Sequence, residues 1–175
     1  MSADNNQRVM FARNPLDMIV QAHTSQMQMC DALEHIADGL PDNVDRRLCA
    51  QVASCLQFDL PLHHQDEERA LFPLLRGRSL PDDRILEILD HLAAEHSADT
   101  DFASEIAENL EILGHGGRTA NPEMLGYMLR GFFERYRRHI DWENTLVLPL
   151  AQLRLTSEDL DSLSLQMDVN RRRAN

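Results

Sequence analysis

"LHHQDEERALFP", residues 62–73, sets two histidines and three acids beside Ala70, Leu71 and Phe72, a run suited to a protein core. A histidine and a glutamate four residues apart project from one helix face about one turn apart. That spacing occurs twice here, as His63 with Glu67 and as His64 with Glu68. Periodicity leaves both open, because His63, Glu67, Ala70 and Leu74 compete with His64, Glu68, Leu71 and Leu75 for the inner face. A second stretch, "HIDWENTLVLP" at residues 139–149, repeats the first: His63 aligns with His139, Glu67 with Glu143, Leu71 with Val147, and Pro73 with Pro149. Ile140 and Asn144 stand in the second copy where His64 and Glu68 stand in the first, so the repeat favours His63 with Glu67. His64 and Glu68 are then expected to support the site from outside it or to face solvent.

Outward from these stretches the chain reads as helix. Glycine and proline are sparse and strand-like alternation is almost absent. Asn14-Pro15 predicts an N-cap followed by proline in the first turn, with a helix over about 15–38. A second helical stretch is predicted from Asp42 or Asn43 to Arg76, broken or kinked at Pro61. Ser79-Leu80-Pro81 opens a third, reaching Leu113 before "GHGG", and Asn121-Pro122 opens a fourth that ends near Pro149. Thr156 or Ser157 caps a short fifth. The expected fold is all-α, an up-and-down four-helix bundle with a short C-terminal helix. It forms one domain over 1–175, with the bundle at about 14–152 and an extension at 153–175.

The inner stripe of each long helix carries ionisable groups. On the fourth it is Leu125, Met128, Phe132, Tyr136, His139, Glu143, Leu146 and Leu150. On the third it is Ile85, Leu89, Leu92, His96, Ala103, Ile106, Leu110 and Leu113, interrupted by Asp99. On the first, Leu16, His23, Cys30 and Ala37 share a face. His91 lies about 140° round from His96 and belongs to a flank, where Glu95 makes it a surface pair. His35 and His115 read as solvated. Four imidazoles and two carboxylates thus face one interior: His23, His63, Glu67, His96, His139 and Glu143.

Buried carboxylates without a countercharge cost several kcal/mol each, on the order of the desolvation penalty of an ion. No Arg or Lys lies on the traced inner faces, so the expected countercharge is metal. Two ions fit, each with two imidazoles and with the carboxylates bridging. Nitrogen and oxygen ligation without thiolate suits iron or manganese, with zinc also admissible, and redox chemistry with oxygen selects iron. Cys30, Cys49 and Cys55 have no CxxC spacing and read as buried small side chains. Tyr136 reads as a core tyrosine with a satisfied hydroxyl, Trp142 as packing at a helix interface, and Met18, Met27, Met124 and Met128 as gap fillers.

With these residues in place, "LHHQDEERALFPLL", Glu95-His96 and "YRRHIDWENTLVLPLA" resemble the hemerythrin-like (HHE cation-binding) domain family over about residues 14–152. The resemblance implies a four-helix bundle holding a non-haem di-iron centre, with His23, His63, Glu67, His96, His139 and Glu143 at ligand positions. Two places depart from the oxygen-carrying members. Leu92 stands four before His96 where they have a second histidine, and Asn144 stands five after His139 where they have aspartate. One nitrogen ligand fewer makes a more open site, which turns the expectation toward sensing, peroxide or nitric oxide chemistry, or iron handling beside oxygen binding. The ligand is then a small diatomic or peroxide. An alternative is an iron- or oxygen-responsive binding module without turnover that acts through a partner protein. Ferritin-like sites use Glu-x-x-His, the reverse of the order here.

A net charge of −12 and an estimated pI of 5.0 argue against nucleic acid and anionic membrane as partners. The first fifteen residues contain no signal-type apolar segment and no run approaches a membrane span, so the cytoplasm is the expected location. No nucleotide loop is visible, so an electron source would be external. Arg171-Arg172-Arg173 reads as a frayed charged tail, and residues 150–173 as a closing helix or a contact surface.

Overall fold

The computed structural model describes residues 14–174, and these form five helices with no strand among them. Residues 1–13, which include most of the N-terminal stretch read for a signal segment, lie outside the described residues. Helix α1 is Pro15–Gly39, α2 covers 46–78, α3 is Ile85–Gly114, α4 covers 122–154 and α5 is Ser157–Ala174. Asn14 caps α1, its Oδ1 accepting from the Leu16 N–H at 3.0 Å, and Asn121 does the same for Met124 at 3.0 Å. Helix α2 starts later than Asp42 or Asn43 because Asp45 caps it, accepting from the Arg47 and Leu48 N–H groups. Helix α3 closes on Gly116, whose φ of 85° lets the Gly117 N–H reach the Ile112 carbonyl at 2.8 Å.

Pro61 does not break α2. The turn before it, Cys55–Asp59, widens to π geometry, and the helix continues to Arg78. The same occurs at Glu67–Leu71 before Pro73 and at Glu143–Val147 before Pro149. Proline lacks an N–H and its ring crowds the carbonyl four residues back. In each case the residue before it donates to the fifth carbonyl back instead: Leu60 to Cys55, Phe72 to Glu67, Leu148 to Glu143. A widened turn takes up one extra residue and so rotates the face that follows. That is why Val147 is buried where the stripe predicted Leu146, which is 41% exposed. It is also why the buried face of α2 passes from His63 and Glu67 to Leu71 and Leu75.

Helix α1 packs along α4, and the first half of α2 along α3. Two apolar clusters result. One joins Met29–Ala37 of α1 to Cys49–Leu60, Ala103–Leu113 and Leu125–Ile140, and the other joins Leu16 and Ile19 to Ala70–Leu75, Ile85–Leu92, Val147–Ala151 and two residues of α5. Every long helix changes cluster where it carries its ionisable groups, which places a polar layer between two apolar ones. Met27 and Met124 are exposed and fill no gap, whereas Met128 is buried and Met18 lies partly buried against the second cluster. Cys30 and Cys49 are buried and Cys55 half-buried; burial pushes the Cys30 thiol up to about 12 and the other two to about 11, so all three stay protonated thiols.

The C-terminal helix is neither short nor frayed. Helix α5 spans 18 residues. Thr156 accepts from the Asp159 N–H, and Asp159 returns a bond to the Thr156 N–H at 2.9 Å, a reciprocal cap. Arg78 grips Asp159 with two nitrogens, at 2.8 and 3.1 Å. Near its end Asn170 and Arg171 donate to the two oxygens of buried Asp66, at 2.9 and 3.1 Å. The Arg78 guanidinium, with the Thr156 N–H, holds the Asp159 carboxyl down at about 2. A depressed carboxyl contributes stability above its unfolded pKa of about 3.9 and loses it as pH falls through the folded value. The stability difference between the wild-type chain and Asp159→Asn is therefore expected to shrink as pH falls from about 4 to about 2. Denaturant melts of both chains across that window check it, and a constant difference would refute it.

Candidate metal centre

The polar layer gathers all six residues singled out above. Each is 5% exposed or less: His23 from α1, His63 and Glu67 from α2, His96 from α3, His139 and Glu143 from α4. Glu67 and Glu143 each begin a widened turn, so the two carboxylates occupy equivalent places in the internal repeat. Their oxygens meet imidazole Nε2 atoms from all four helices. Glu67 lies 3.4 Å from His23, 3.3 Å from His63 and 3.5 Å from His96. Glu143 lies 3.2 Å from His23, 3.0 Å from His139 and 3.6 Å from His96. Two groups with metal-ligand spacing emerge: His23, His63, Glu67 and Glu143, and His96, His139 and Glu143, within each of which the ligand atoms lie within 4.8 Å of one another. Glu143 belongs to both.

The outer nitrogens explain how the rings are aimed. His23 Nδ1 lies 2.7 Å from Asn144 Oδ1, His96 Nδ1 2.9 Å from Glu68, and His139 Nδ1 2.8 Å from Glu95. An oxygen acceptor at Nδ1 puts the ring proton there and leaves the Nε2 lone pair pointing inward, the tautomer a metal needs. His96 and His139 Nε2 then face each other at 3.0 Å, two lone pairs that require a proton or a cation between them. All four oxygens of Glu67 and Glu143, with His23 Nε2 and His63 Nε2, are buried without a hydrogen-bond partner. So many orphaned acceptors in one place mark a missing positive charge.

The electrostatics agree. Burial opposes charge on His23 and His96, yet the carboxylates outweigh it and raise both to about 10, Glu143 foremost in each case. At His63 burial, reinforced by His23, prevails and lowers the ring to about 3. Burial and repulsion from Glu143 push Glu67 up to about 7, while the imidazoles of His139, His23 and His96 outweigh burial and hold Glu143 well below the usual range. The side chains alone satisfy the layer only by trapping protons in it. Cations do so without protonating the ligands.

At this point the comparison with known proteins is specific: the Hemerythrin HHE cation binding domain matches residues 14–151. The chain belongs to the hemerythrin HHE cation-binding family. No curated protein matches the chain. Membership implies cation binding, typically of iron, and the buried His/Glu cluster fits such a site. Helix α5 lies outside the matched stretch of this HHE chain.

Neighbours read only in part from sequence complete the site. His64 is buried, not solvated: its ring stacks on His96 at 3.9 Å, and burial keeps it neutral, its pKa well below the usual value. Tyr136 donates or accepts across 3.2 Å to His64 Nε2 and stacks on His139, a core tyrosine with a satisfied hydroxyl as expected. His91 and Glu95 are more than a surface pair, since Glu95 also holds His139. Trp142 is 39% exposed with its ring 5.6 Å from His91, so it packs at the outer edge of the interface between α3 and α4. His35 and His115 are exposed, as expected. Asp99, the interruption in the α3 stripe, is wholly buried and met by Arg135 of α4, with Nε at 2.9 Å, so an arginine does reach the traced inner face. Among the described residues no helix is long and apolar enough to cross a membrane.

Proposed function

We propose that this chain holds a non-haem di-iron centre and binds, senses or reacts with a small oxidant such as O2, peroxide or NO. The observation that carries the reading is Glu143, which belongs to both ligand groups, with Glu67 reaching His23, His63 and His96. One ion would take His23 and His63, the other His96 and His139, and the two carboxylates would bridge them. Iron in that position supplies reversible one-electron chemistry and room for a small ligand. Manganese and zinc are the competing occupants. The chain's own groups do the rest: Asn144, Glu68 and Glu95 fix the imidazole tautomers, while Phe72, Tyr136 and His64 wall the rings off from water.

The alternation of helix halves in the two apolar clusters supports an up-and-down arrangement of α1 to α4, in one domain with α5 as its extension. With a charge of −12 the proposed partners are a small oxidant and a separate redox donor rather than nucleic acid or membrane. Elemental analysis and absorption spectra of anaerobically purified chain, before and after air, test the reading. About two irons per chain with a spectral change in air support it. Zinc alone, or no metal, sinks it.

A second reading rests on Asp66, the residue immediately before Glu67, which joins α2 to α5. A module without turnover would report metal loss through that joint, loosening α5 toward a partner protein. Peroxide or oxygen turnover favours the first reading; a metal-dependent melting shift without turnover favours the second.

The place where this sequence departs from the oxygen carriers gives a sharper check. Asn144→Leu removes the acceptor on His23 Nδ1 without touching any proposed ligand, and metal affinity is expected to fall about 10- to 100-fold. Competition with a coloured chelator measures this, and an unchanged affinity would show that Asn144 does not aim the ring.

A further inference from the structure

Three of the four inward-facing imidazoles have an oxygen acceptor on Nδ1, and His63 has none among the described residues. Its ring lies instead on the wall of a cavity of about 310 Å³ between α1, α2 and α5. Nε2 faces Glu67 at 3.3 Å, so with a cation on that side the ring proton sits on Nδ1 as a donor. Arg171 lines the same cavity. One of its terminal nitrogens holds Asp66, and the other, Nη1, is buried without a partner. Gln26, 5% exposed, adds an amide end whose Oε1 has no partner, and the amide can turn to present its N–H group. The apolar wall includes Met18, Met29 and Met167, thioether side chains that mould to an irregular guest.

We propose that this cavity binds a small monocarboxylate with a short apolar tail, held by His63 and Arg171 at its charged end and by the methionines along its tail. The inference rests on the metal reading above, which fixes the His63 proton. The cavity is at the lower end of the range for small-molecule sites, about 300–1,000 Å³, and far larger than a diatomic needs. Charge decides the class of ligand. Asp66 is already matched by Arg171 and Asn170, and Asp59, also on the wall, is exposed and solvated. Among the described residues His63 Nδ1 and Arg171 Nη1 are both donors without an acceptor, and a carboxylate accepts from both, so an anion is preferred to an alcohol of the same length. Arg171 and Met167 come from α5, outside the family match, which makes the site an addition of this chain to the shared cage.

The experiment is a titration of full-length, metal-loaded chain, labelled on its methionine methyl groups, with butanoate and with butan-1-ol, followed by NMR; metal content is measured on every sample. Saturable shifts of the Met18, Met29 and Met167 methyls are expected with butanoate, with butan-1-ol about tenfold weaker. Arg171→Gln keeps an amide for Asp66 and should weaken butanoate about tenfold, and Ala22→Leu, which fills the cavity, should abolish binding. The Met128 methyl, which is buried but does not line the cavity, reports whether each variant is folded. No saturable shift, equal binding of the alcohol, or indifference to Arg171→Gln overturns the proposal. So does a carboxylate that alters the absorption spectrum while leaving the three methyls unmoved, because it has then gone to the metal ions. A chain that takes up no metal overturns the cage reading instead, and the methyl shifts then judge the cavity separately.

Discussion

Glu143→Ala is expected to remove both cations, not one. Glu143 supplies the single carboxylate of the His96–His139 group and one of two carboxylates in the group of His23, His63 and Glu67. Without it the first group keeps two imidazoles and no carboxylate of its own, and the second keeps His23, His63 and Glu67 but loses the carboxylate that ties the two groups together. Metal content should fall from about two ions per chain to near zero, and the rise in melting temperature on adding metal should vanish, since ligand-linked stability scales with RT ln(1 + [L]/Kd). Glu143→Gln keeps the side-chain shape while removing the charge, so its metal content separates a lost ligand from a lost fold. Full metal occupancy in both variants would refute the shared-ligand arrangement. The metal-free chains should show a second effect. In the wild type Glu143 repels Glu67, but it also holds protons on His23, His96 and His139. Those imidazoles keep Glu143 well below its usual range, so its charge contributes stability at neutral pH, and metal-free Glu143→Gln should melt below the metal-free wild type.

The cage was legible because its chemistry follows helix periodicity. His23, His96, His139 and Glu143 sit on apolar stripes at spacings of three, four and seven, and the repeat at His63 and His139 resolved the doubled motif. Local signals ran out where the path of the helix depends on a turn that sequence rules treat as a stop. Pro61 read as a break and Pro149 as an end, with Pro73 inside a helix running to Arg76, but each is absorbed by a widened turn whose extra residue rotates the following face. Leu146 was therefore assigned to the core in place of Val147. The partners that aim the rings were only half visible. Glu95 stood in a recognisable pair with His91, but its second oxygen turns to His139, 44 residues away. Asn144 looked like a lost ligand and proves to be the acceptor on His23, 121 residues away. The grip of Arg171 on Asp66, 105 residues apart, left no trace in any local pattern, which is why the tail read as frayed.

Asp99 offers a contrast with the cage, because its countercharge is a side chain. Its carboxylate is wholly buried, Arg135 reaches it from α4, and the guanidinium also lies over Phe102 at 5.5 Å and Phe132 at 6.0 Å. Arg135→Met keeps the apolar stem and removes the charge, leaving a buried carboxylate whose other oxygen already lacks a partner. Breaking a fully buried pair costs about 3–5 kcal/mol. The Arg135 side chain is 32% exposed, so water already screens part of this pair and about 2–3 kcal/mol is the expected loss. For a chain of this size that corresponds to a fall of roughly 4–12 °C in melting temperature. Asp99→Leu combined with Arg135→Met removes both charges and should recover most of the loss, which a double-mutant cycle on denaturant melts would show as a coupling of about 1–3 kcal/mol. Equal stability of the single and double variants would mean that the carboxylate finds another partner. Metal content should be unchanged in all three chains, because neither residue belongs to the cage. The same substitution logic applied to the cage gives a different answer: among the described residues no arginine meets Glu67 or Glu143, so the countercharge there is either trapped protons or metal, and metal supplies it without protonating the ligands.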